Sequence, residues 1–267
     1  FESVMPKPEV TNSLLQHFNP FRRLKRYLIY KYKHKTNIDG LSKNFDNLGI
    51  DEIFKYFNTD KATTWNGGKD TGHGYSRFYE KYLKIFKNRK INILEIGSFS
   101  GASAASFAKY FPLSTIYCLD INLTNFKLIS KNIKVFGLDV SQKLLINKFY
   151  QKINISHETK YFDIIVDDGS HKLSDIIISL NIFFKNLRSG GFYIVEDFKF
   201  PNYYSHLNDC PEKKIDEMLI CLKNKKKFAS NIISLEMIQY LLNFIEDIFE
   251  HRGLLEDSDI AFIKRLN

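Results

Sequence analysis

The sequence predicts an α/β protein with a doubly wound, mainly parallel sheet, a helical N-terminal arm and C-terminal helical additions. Three observations lead to this fold class. Short apolar runs rich in β-branched and aromatic residues recur along the chain, which is typical of strands buried on both faces. Helical segments separate these runs, and such alternation indicates parallel pairing. The length of 267 residues allows one large domain with additions.

Two segments precede the predicted sheet. Residues 1–45 form a basic arm, in which prolines interrupt the chain and apolar residues at helical spacing predict a helix over 21–33. Residues 46–88 begin the domain proper. They are predicted to form helices at 50–57 and 75–86, separated by a loop rich in Gly, Asn, Thr and Asp.

Residues 89–200 form the predicted core of the domain. Each apolar run in it is short and bounded by turn residues, so we assign these runs to strands and the segments between them to helices. The predicted strands of this core are 91–96, 115–119, 133–138, 162–167 and 191–196. The predicted helices of this core are 101–110, 141–152 and 172–187.

Residues 201–267 are predicted to add two helices and a last strand. Pro211 suits the first turn of a helix over 211–225. Apolar residues at a spacing of 3.6 predict a second helix over 234–250. The apolar run at 259–264 then predicts a strand that returns to the sheet.

The composition favours a folded protein in a reducing compartment. Hydrophobic residues make up 44% of the chain, and the 24 Phe and 15 Tyr require a core to bury them. We find no apolar run of the roughly 18 residues that cross a bilayer and no signal-peptide pattern. The three cysteines form no CxxC pair. We therefore expect a cytoplasmic location.

The positive charge of the chain is concentrated in the arm. The net charge is +9, and residues 22–35 carry seven Lys or Arg and no acidic residue, which leaves about +2 for all other residues. The arm could contact a membrane surface, an anionic ligand or a partner subunit, or it could be a solvated helix that packs on the domain. We expect a homo-oligomer, with peripheral membrane contact as an alternative role of the arm.

A glycine-containing turn follows the first core strand. Glu95 is followed by Gly97 and Gly101, and a helix begins directly after the turn. Glycines here let the backbone approach a ligand closely, and the helix start presents free N–H groups. The next strand ends at Asp120, whose carboxylate can accept hydrogen bonds from both ribose hydroxyls. The turn lacks the G-x-G-x-x-G pattern, so we expect a nucleotide-like cofactor without a pyrophosphate.

Acidic residues end the next pair of neighbouring strands. Asp167, Asp168 and His171 follow one strand, and Glu196 with Asp197 ends the other. Parallel neighbours place their carboxyl ends at one edge, so these groups should meet in the cofactor cleft. Clustered carboxylates raise one another's pKa unless a cation joins them, and carboxylate oxygens favour Mg²⁺, Ca²⁺ or Mn²⁺.

Such a cation could hold two oxygens of a vicinal diol and lower the pKa of the hydroxyl to be alkylated. His171 could then take the proton as general base, because an imidazole with a pKa of about 6.5 is largely neutral near pH 7.

These motifs resemble those of a known enzyme class. E-x-G-x-x-x-G with an acidic strand end resembles motifs I and II of the class I methyltransferases that use S-adenosylmethionine. D-D-G-S-H and E-D, with upstream T-D-K, H-G-Y and Y-E, resemble the metal-dependent sugar O-methyltransferases, which act on macrolide deoxysugars or on bacterial surface sugars such as capsule heptoses. The resemblance covers about residues 58–200 and implies a Rossmann-like sheet of the seven-stranded type.

The resemblance also implies a role for each matching residue. His171 is the general base and acts with Asp168, and the metal ligands are Asp168, Glu196 and Asp197. Residues 46–88 close over the cofactor, unless this segment is only a Gly-rich surface loop. One position departs from the family, because Val140 stands where a Gln usually follows Asp139. The implied cofactor-binding residues are Glu95, Gly97, Gly101, Asp120, Asp139, Asp167, Lys61, His73 and Tyr75.

The predicted function is methyl transfer from S-adenosylmethionine to a sugar hydroxyl, dependent on Mg²⁺ or Mn²⁺, with a nucleotide-linked or glycan sugar as acceptor. A phenol, a catechol or another small natural product is the main alternative acceptor. A nucleic-acid partner is not expected, because the positive charge is local and no N-P-P-Y-type motif follows the fourth strand. Aromatic residues at 198–211 could stack on a sugar or a base, or the segment could simply connect two elements.

Overall fold

The computed structural model describes residues 20–267 of the chain, so the first 19 residues of the predicted arm lie outside the described residues. The helices are α1 Pro20–Tyr32, α2 Ile50–Phe57, α3 Ser76–Leu83, α4 Ala102–Tyr110, α5 Lys143–Lys152, α6 Leu173–Phe183, α7 Phe200–Tyr203, α8 Ile215–Lys223 and α9 Leu235–Phe244. The strands of the main sheet are β1 Asn92–Ile96, β2 Thr115–Asp120, β3 Ile133–Gly137, β4 Phe162–Asp167, β5 Leu187–Glu196, β6 Ile245–Arg252 and β7 Asp259–Arg265.

The main sheet confirms the predicted fold class. Within residues 20–267 it has seven strands in the order β6-β7-β5-β4-β1-β2-β3, and β7 runs antiparallel to both of its neighbours. The other pairings are parallel. Ile96 is in register with both Leu119 and Asp167, so β1, β2 and β4 end side by side. This alignment gathers the strand-end residues at one edge of the sheet.

Both faces of the sheet are buried, as the nearly continuous apolar runs require. Along β1, Ile93 packs with one hydrophobic cluster, whereas Leu94 and Ile96 pack with the other. Helices α2, α3 and α4 contribute to the first cluster. Helices α5, α6, α8 and α9 contribute to the second. The core is therefore a three-layer arrangement with the sheet in the middle.

The segment before β1 is held on the domain by aromatic packing. The ring of Phe54 in α2 lies 5.8 Å from the ring of Tyr79 in α3 and 5.8 Å from the ring of Phe107 in α4, measured between centroids. Edge-to-face pairs of this kind add to the free energy gained by burying the rings. The packing fixes α3 above the carboxyl edge of the sheet, where its side chains reach the strand ends.

Helix α1 confirms the predicted helix of the arm and lies on the loop after β2. The ring of Tyr30 is 6.4 Å from that of Phe126, and Lys33 Nζ donates to the carbonyl of Thr124 at 2.9 Å. Leu24 and Leu28 are exposed on this helix. No helix within residues 20–267 combines the length and apolarity needed to cross a membrane.

Two predicted C-terminal boundaries are wrong. The helix predicted over 234–250 ends at Phe244, and Ile245–Arg252 forms strand β6 instead. A bulge between Ile245 and Asp247 shifts the register against β7, so buried residues fall three apart and imitate a helix. The helix predicted over 211–225 begins only at Ile215.

Pro211 therefore lies in the turn before α8 and not in the first turn of the helix. Its neighbour Glu212 holds this turn by accepting a hydrogen bond from the backbone N–H of Asn231 at 2.7 Å.

Candidate active site

The turn between β1 and α4 requires glycine at two positions. Gly97 and Gly101 have φ values of 84° and 80°, in the left-handed region. A Cβ on Gly97 would lie 1.9 Å from the carbonyl oxygen of Asp168, and one on Gly101 would lie 2.8 Å from the ring of Phe126. The turn is therefore in direct contact with the loop after β4, which carries the predicted catalytic residues.

The glycine turn forms one wall of a cleft at the carboxyl ends of β1 to β4. Asp120 and Asp139 both line this cleft, as predicted for the ribose and adenine ends of a nucleoside. Asp120 accepts a hydrogen bond from the backbone N–H of Phe99 at 2.7 Å, which connects β2 to the turn. Gln142 donates to Asp139 at 3.1 Å, whereas Val140 lines the cleft and adds no polar group there. The remaining wall is largely aliphatic, which suits a nucleoside base.

Glu95 and Asp167 are both buried at the same edge, and Asp167 also lines the cleft. Glu95 is fully buried and accepts a hydrogen bond from the hydroxyl of Ser103, so as placed it supports the turn from inside the protein. Asp167 is buried, and the hydroxyl of Tyr193 donates to it at 3.3 Å. Burial raises the pKa of Asp167 to about 7. Contact of either carboxylate with a cofactor stays a prediction.

Replacing Glu95 by glutamine is expected to stabilise the protein increasingly as the pH rises. Burial raises the pKa of Glu95 in the folded state above its unfolded value of about 4.3, so folding of the native chain becomes less favourable as the pH rises through the folded-state pKa. The amide carries no charge and escapes this loss. Denaturant unfolding between about pH 5 and pH 9 should show a gain approaching about 1.4 kcal/mol per pH unit at most. A gain independent of pH would contradict the prediction.

Carboxylates, tyrosines and a lysine form a compact cluster beside the turn, which we call the acidic cluster. The Lys61 ammonium donates to Asp168 Oδ2 and to Glu196 Oε2. The hydroxyl of Tyr79 donates to Glu196 Oε1, and that of Tyr75 donates to Asp197 Oδ1. Apart from Asp168, which is partly exposed, these groups are buried, so their charges and hydroxyls depend on one another for partners. The acidic cluster consists of Lys61, Tyr75, Tyr79, Asp168, Glu196 and Asp197.

His171 faces this cluster from the loop after β4. Its Nε2 lies 3.8 Å from Asp168 Oδ1, and its ring lies 5.0 Å from that of Phe200 in α7. The backbone of His171 is in the left-handed region, with φ of 57°, which turns the side chain back toward the strand ends. Burial lowers the pKa of His171, and the carboxylate of Asp168 opposes that shift. The imidazole is thus neutral near pH 7 and can accept a proton.

Two residues of the acidic cluster, together with His171, have the geometry of a cation site. One ligand atom each from Asp168, His171 and Asp197 lies within 4.8 Å of the others. Burial and the nearby carboxylate of Asp168 raise the pKa of Asp197. Of these three donors, the carboxylate oxygens of Asp168 and Asp197 suit a hard divalent cation, and the imidazole of His171 lies beside them. The residues present therefore fit the predicted metal.

The structure brings together two of the three predicted metal ligands directly. Asp168 and Asp197 belong to the cation geometry, whereas both oxygens of Glu196 are engaged by Lys61 and Tyr79. Glu196 could ligate a cation only if the Lys61 ammonium moved away. The interpretation of Lys61 as a partner of the cofactor carboxylate likewise stays a prediction, since the structure pairs its ammonium with protein carboxylates.

His73 also packs against the acidic cluster. Its Nδ1 lies 2.6 Å from the hydroxyl of Ser258 and 3.6 Å from Asp197 Oδ1, and its ring stacks on Tyr75 at 5.1 Å. Contact of His73 and Tyr75 with a cofactor stays a prediction. Sequence reasoning assigned no role to Tyr79 or Ser258. The Y-E pair of the resemblance was a signal for Tyr79, but nothing in the local pattern before β7 marked Ser258.

The segment after β5 places aromatic side chains next to His171. Phe200 lies against the histidine ring, and the ring of Tyr204 lies 5.3 Å from that of Phe200. The hydroxyl of Tyr203 donates to Asp259 at 2.7 Å, which fixes the segment to the start of β7. Tyr203 and Tyr204 are partly exposed at 43% and 39%. They could therefore contact an acceptor that reaches His171.

Replacing Gly97 by alanine is expected to destabilise the protein and to abolish cofactor binding. The added methyl group would overlap the backbone of Asp168, and alanine would also be strained at φ of 84°. We expect a loss of more than about 2 kcal/mol in the free energy of unfolding. Denaturant unfolding and titration with S-adenosylhomocysteine measure the two effects. Gly40 makes a matched control, because a Cβ there meets no atom within 4 Å.

No protein-family model matches the chain. The L-olivosyl-oleandolide 3-O-methyltransferase of Streptomyces antibioticus is 28% identical over 166 residues, which are 58% of this chain and 38% of that protein. The mycinamicin VI 2''-O-methyltransferase of Micromonospora griseorubida is 26% identical over 132 residues, or 47% of this chain and 31% of that protein. The matched region thus spans less than half the length of these curated relatives.

A solved structure extends the similarity to the fold. The MycE methyltransferase of the mycinamycin biosynthetic pathway, in complex with Mg, SAH and mycinamycin VI, aligns with a TM-score of 0.61 and 20% identity over 82% of this chain and 54% of that chain. The chain is therefore similar to macrolide sugar O-methyltransferases and has the Rossmann-like fold of the class I methyltransferases.

Proposed function

We propose that this chain is an O-methyltransferase that depends on S-adenosylmethionine and a divalent metal and acts on a sugar hydroxyl. The observation that carries the proposal is the convergence of Asp168, His171 and Asp197 within 4.8 Å, next to the glycine turn. Relatives named for methylating sugars of oleandolide, mycinamicin and tetracenomycin compounds favour a sugar attached to a small molecule as acceptor. A nucleotide-linked sugar or a capsule heptose is a second acceptor class, without support among these relatives.

The protein's own groups suffice to bind and orient the reactants. The cleft lined by Gly97, Asp120 and Asp139 receives the nucleoside part of the cofactor. Asp168 and Asp197 would hold the cation, and Glu196 would join them if the Lys61 ammonium moved away. When bound, the cation supplies Lewis-acid polarisation that lowers the pKa of the acceptor hydroxyl.

His171 completes the reaction as general base. The acceptor oxygen forms a bond to the methyl carbon while the carbon–sulfur bond breaks and its electron pair stays on sulfur. The proton of the hydroxyl passes to Nε2 of His171. Asp168, 3.8 Å away, stabilises the imidazolium that results.

Thermal unfolding with candidate ligands tests the cofactor and the metal. S-adenosylhomocysteine should raise the unfolding temperature, with a further rise in Mg²⁺ or Mn²⁺ that EDTA removes, whereas NAD should have no effect. A ligand at 100 times its Kd adds about 2.7 kcal/mol of stability. Release of S-adenosylhomocysteine would then be measured with rhamnosyl and olivosyl glycosides, nucleotide sugars and catechols. Stabilisation by NAD alone, or turnover only with catechols, would contradict the proposal.

A further inference from the structure

The Lys61 ammonium engages two of the three carboxylates that the sequence predicts as metal ligands, Asp168 and Glu196. Its side chain is only 2% exposed, and it bridges Asp168 Oδ2 and Glu196 Oε2. The backbone around it is fixed, because the N–H of Ser76 donates to the Lys61 carbonyl at 3.0 Å and that of Gly74 donates to the Ala62 carbonyl at 2.9 Å. The ammonium can therefore change its position only by a change in the conformation of the Lys61 side chain.

The ammonium and a divalent cation compete for the same oxygens. Two positive charges a few ångströms apart repel each other strongly in a site shielded from water. A cation that binds both Asp168 and Glu196 must therefore displace the ammonium. A displaced ammonium that stays buried needs a new anionic partner, because an unpaired buried charge is costly.

Asp168 connects Lys61 to Gly97, which lines the cofactor cleft. Asp168, which pairs with Lys61, donates its backbone N–H to the carbonyl of Ile96 at 2.9 Å and leaves no room for a side chain on Gly97. A ligand that reaches past the glycine turn toward Asp168 therefore comes within reach of Lys61. Under the proposed function, this ligand brings a carboxylate on its methionine part.

We infer that Lys61 is an internal competitor of the divalent cation and that the carboxylate of the cofactor releases it. Cofactor and cation then bind cooperatively, and by linkage each raises the affinity of the other by the same factor. The inference rests on the proposed function, since it takes S-adenosylmethionine or its product as the ligand. It predicts that the cation binds more tightly to a chain that already holds the cofactor.

The test is a titration of the full chain with Mn²⁺. Binding is monitored by calorimetry or by the electron paramagnetic resonance signal of free Mn²⁺. The titration is done without ligand, with S-adenosylhomocysteine, and with 5′-methylthioadenosine, which has the nucleoside but no carboxylate. S-adenosylhomocysteine should raise the Mn²⁺ affinity by at least about five-fold. 5′-Methylthioadenosine should bind, as shown by competition, and leave the Mn²⁺ affinity unchanged.

A lysine variant provides the second part of the test. Lys61→Met should bind Mn²⁺ more tightly than the native chain without ligand, and S-adenosylhomocysteine should no longer raise that affinity. Lys87→Met is the matched control, because Lys87 is a half-buried lysine that donates to the carbonyl of Asp46, away from the acidic cluster. It should keep the native coupling.

The outcomes separate this inference from the proposed function. If S-adenosylhomocysteine does not bind, the proposed function itself fails. If it binds and the Mn²⁺ affinity does not change, or if 5′-methylthioadenosine raises it equally, the role of Lys61 is overturned and the proposed function stands. The comparison of the two ligands uses the native chain, so it decides the question even if Lys61→Met does not fold.

Discussion

His171→Ala is expected to remove most of the methyl transfer while leaving the affinity for S-adenosylhomocysteine unchanged. Under the proposed function the imidazole accepts the proton; its Nε2 lies 3.8 Å from Asp168, and it does not line the cofactor cleft. General-base catalysis contributes about 10²- to 10⁴-fold to rate, so we expect a loss of turnover in that range. The loss should appear in kcat, because alanine removes a group that acts on the proton in the transition state.

The measurement is the initial rate of S-adenosylhomocysteine release with an acceptor found in the screen, together with a binding titration for the cofactor product. His157→Ala is the matched control, since His157 is exposed and its imidazole contacts Asn147 of α5 at 2.8 Å. That variant should keep native turnover. If His171→Ala retained native turnover, the base would have to be another group.

The strands of the core could be predicted because each is encoded locally. Short apolar runs between turn residues predicted β1 to β4 to within one residue at each end, and strand–helix alternation then required parallel order. The prediction for β5 is wrong at its start, because the strand begins at Leu187 and not at residue 191. Strand β6 could not be predicted in this way. Its bulge between Ile245 and Asp247 removes the alternation that marks a strand, and its pairing with β7 depends on residues later in the chain.

In the candidate site, too, the features that are encoded locally could be predicted and those that depend on distant residues could not. Strand ends predicted that Asp168, His171 and Asp197 would meet, because parallel neighbours share an edge. The contact of Lys61 with Glu196 joins residues 135 positions apart, and that of Tyr79 with Glu196 joins residues 117 apart. These contacts arise when the segment before β1 docks on the sheet. No local pattern specifies how such a segment docks, so the sequence predicted the residues but not their partners.

Asp168→Asn is expected to reduce both Mn²⁺ affinity and turnover, because Asp168 connects every part of the site. Its Oδ2 accepts from Lys61, its Oδ1 faces His171, and its backbone contacts Gly97. The amide keeps the shape of the side chain and removes the charge that a hard cation requires. Lewis-acid stabilisation of a transition state amounts to several kcal/mol, so we expect turnover to fall by about 10³-fold.

Mn²⁺ titration and initial rates, with and without EDTA, measure the two effects of this substitution. Asp46→Asn replaces an exposed carboxylate before α2 and should change neither. In the native chain EDTA should lower turnover to about the level of Asp168→Asn, and it should have little further effect on the variant, since the variant already lacks the bound cation. If the variant lost turnover but kept native Mn²⁺ affinity, Asp168 would orient His171 without holding the metal. The cation would then have to bind elsewhere in the acidic cluster.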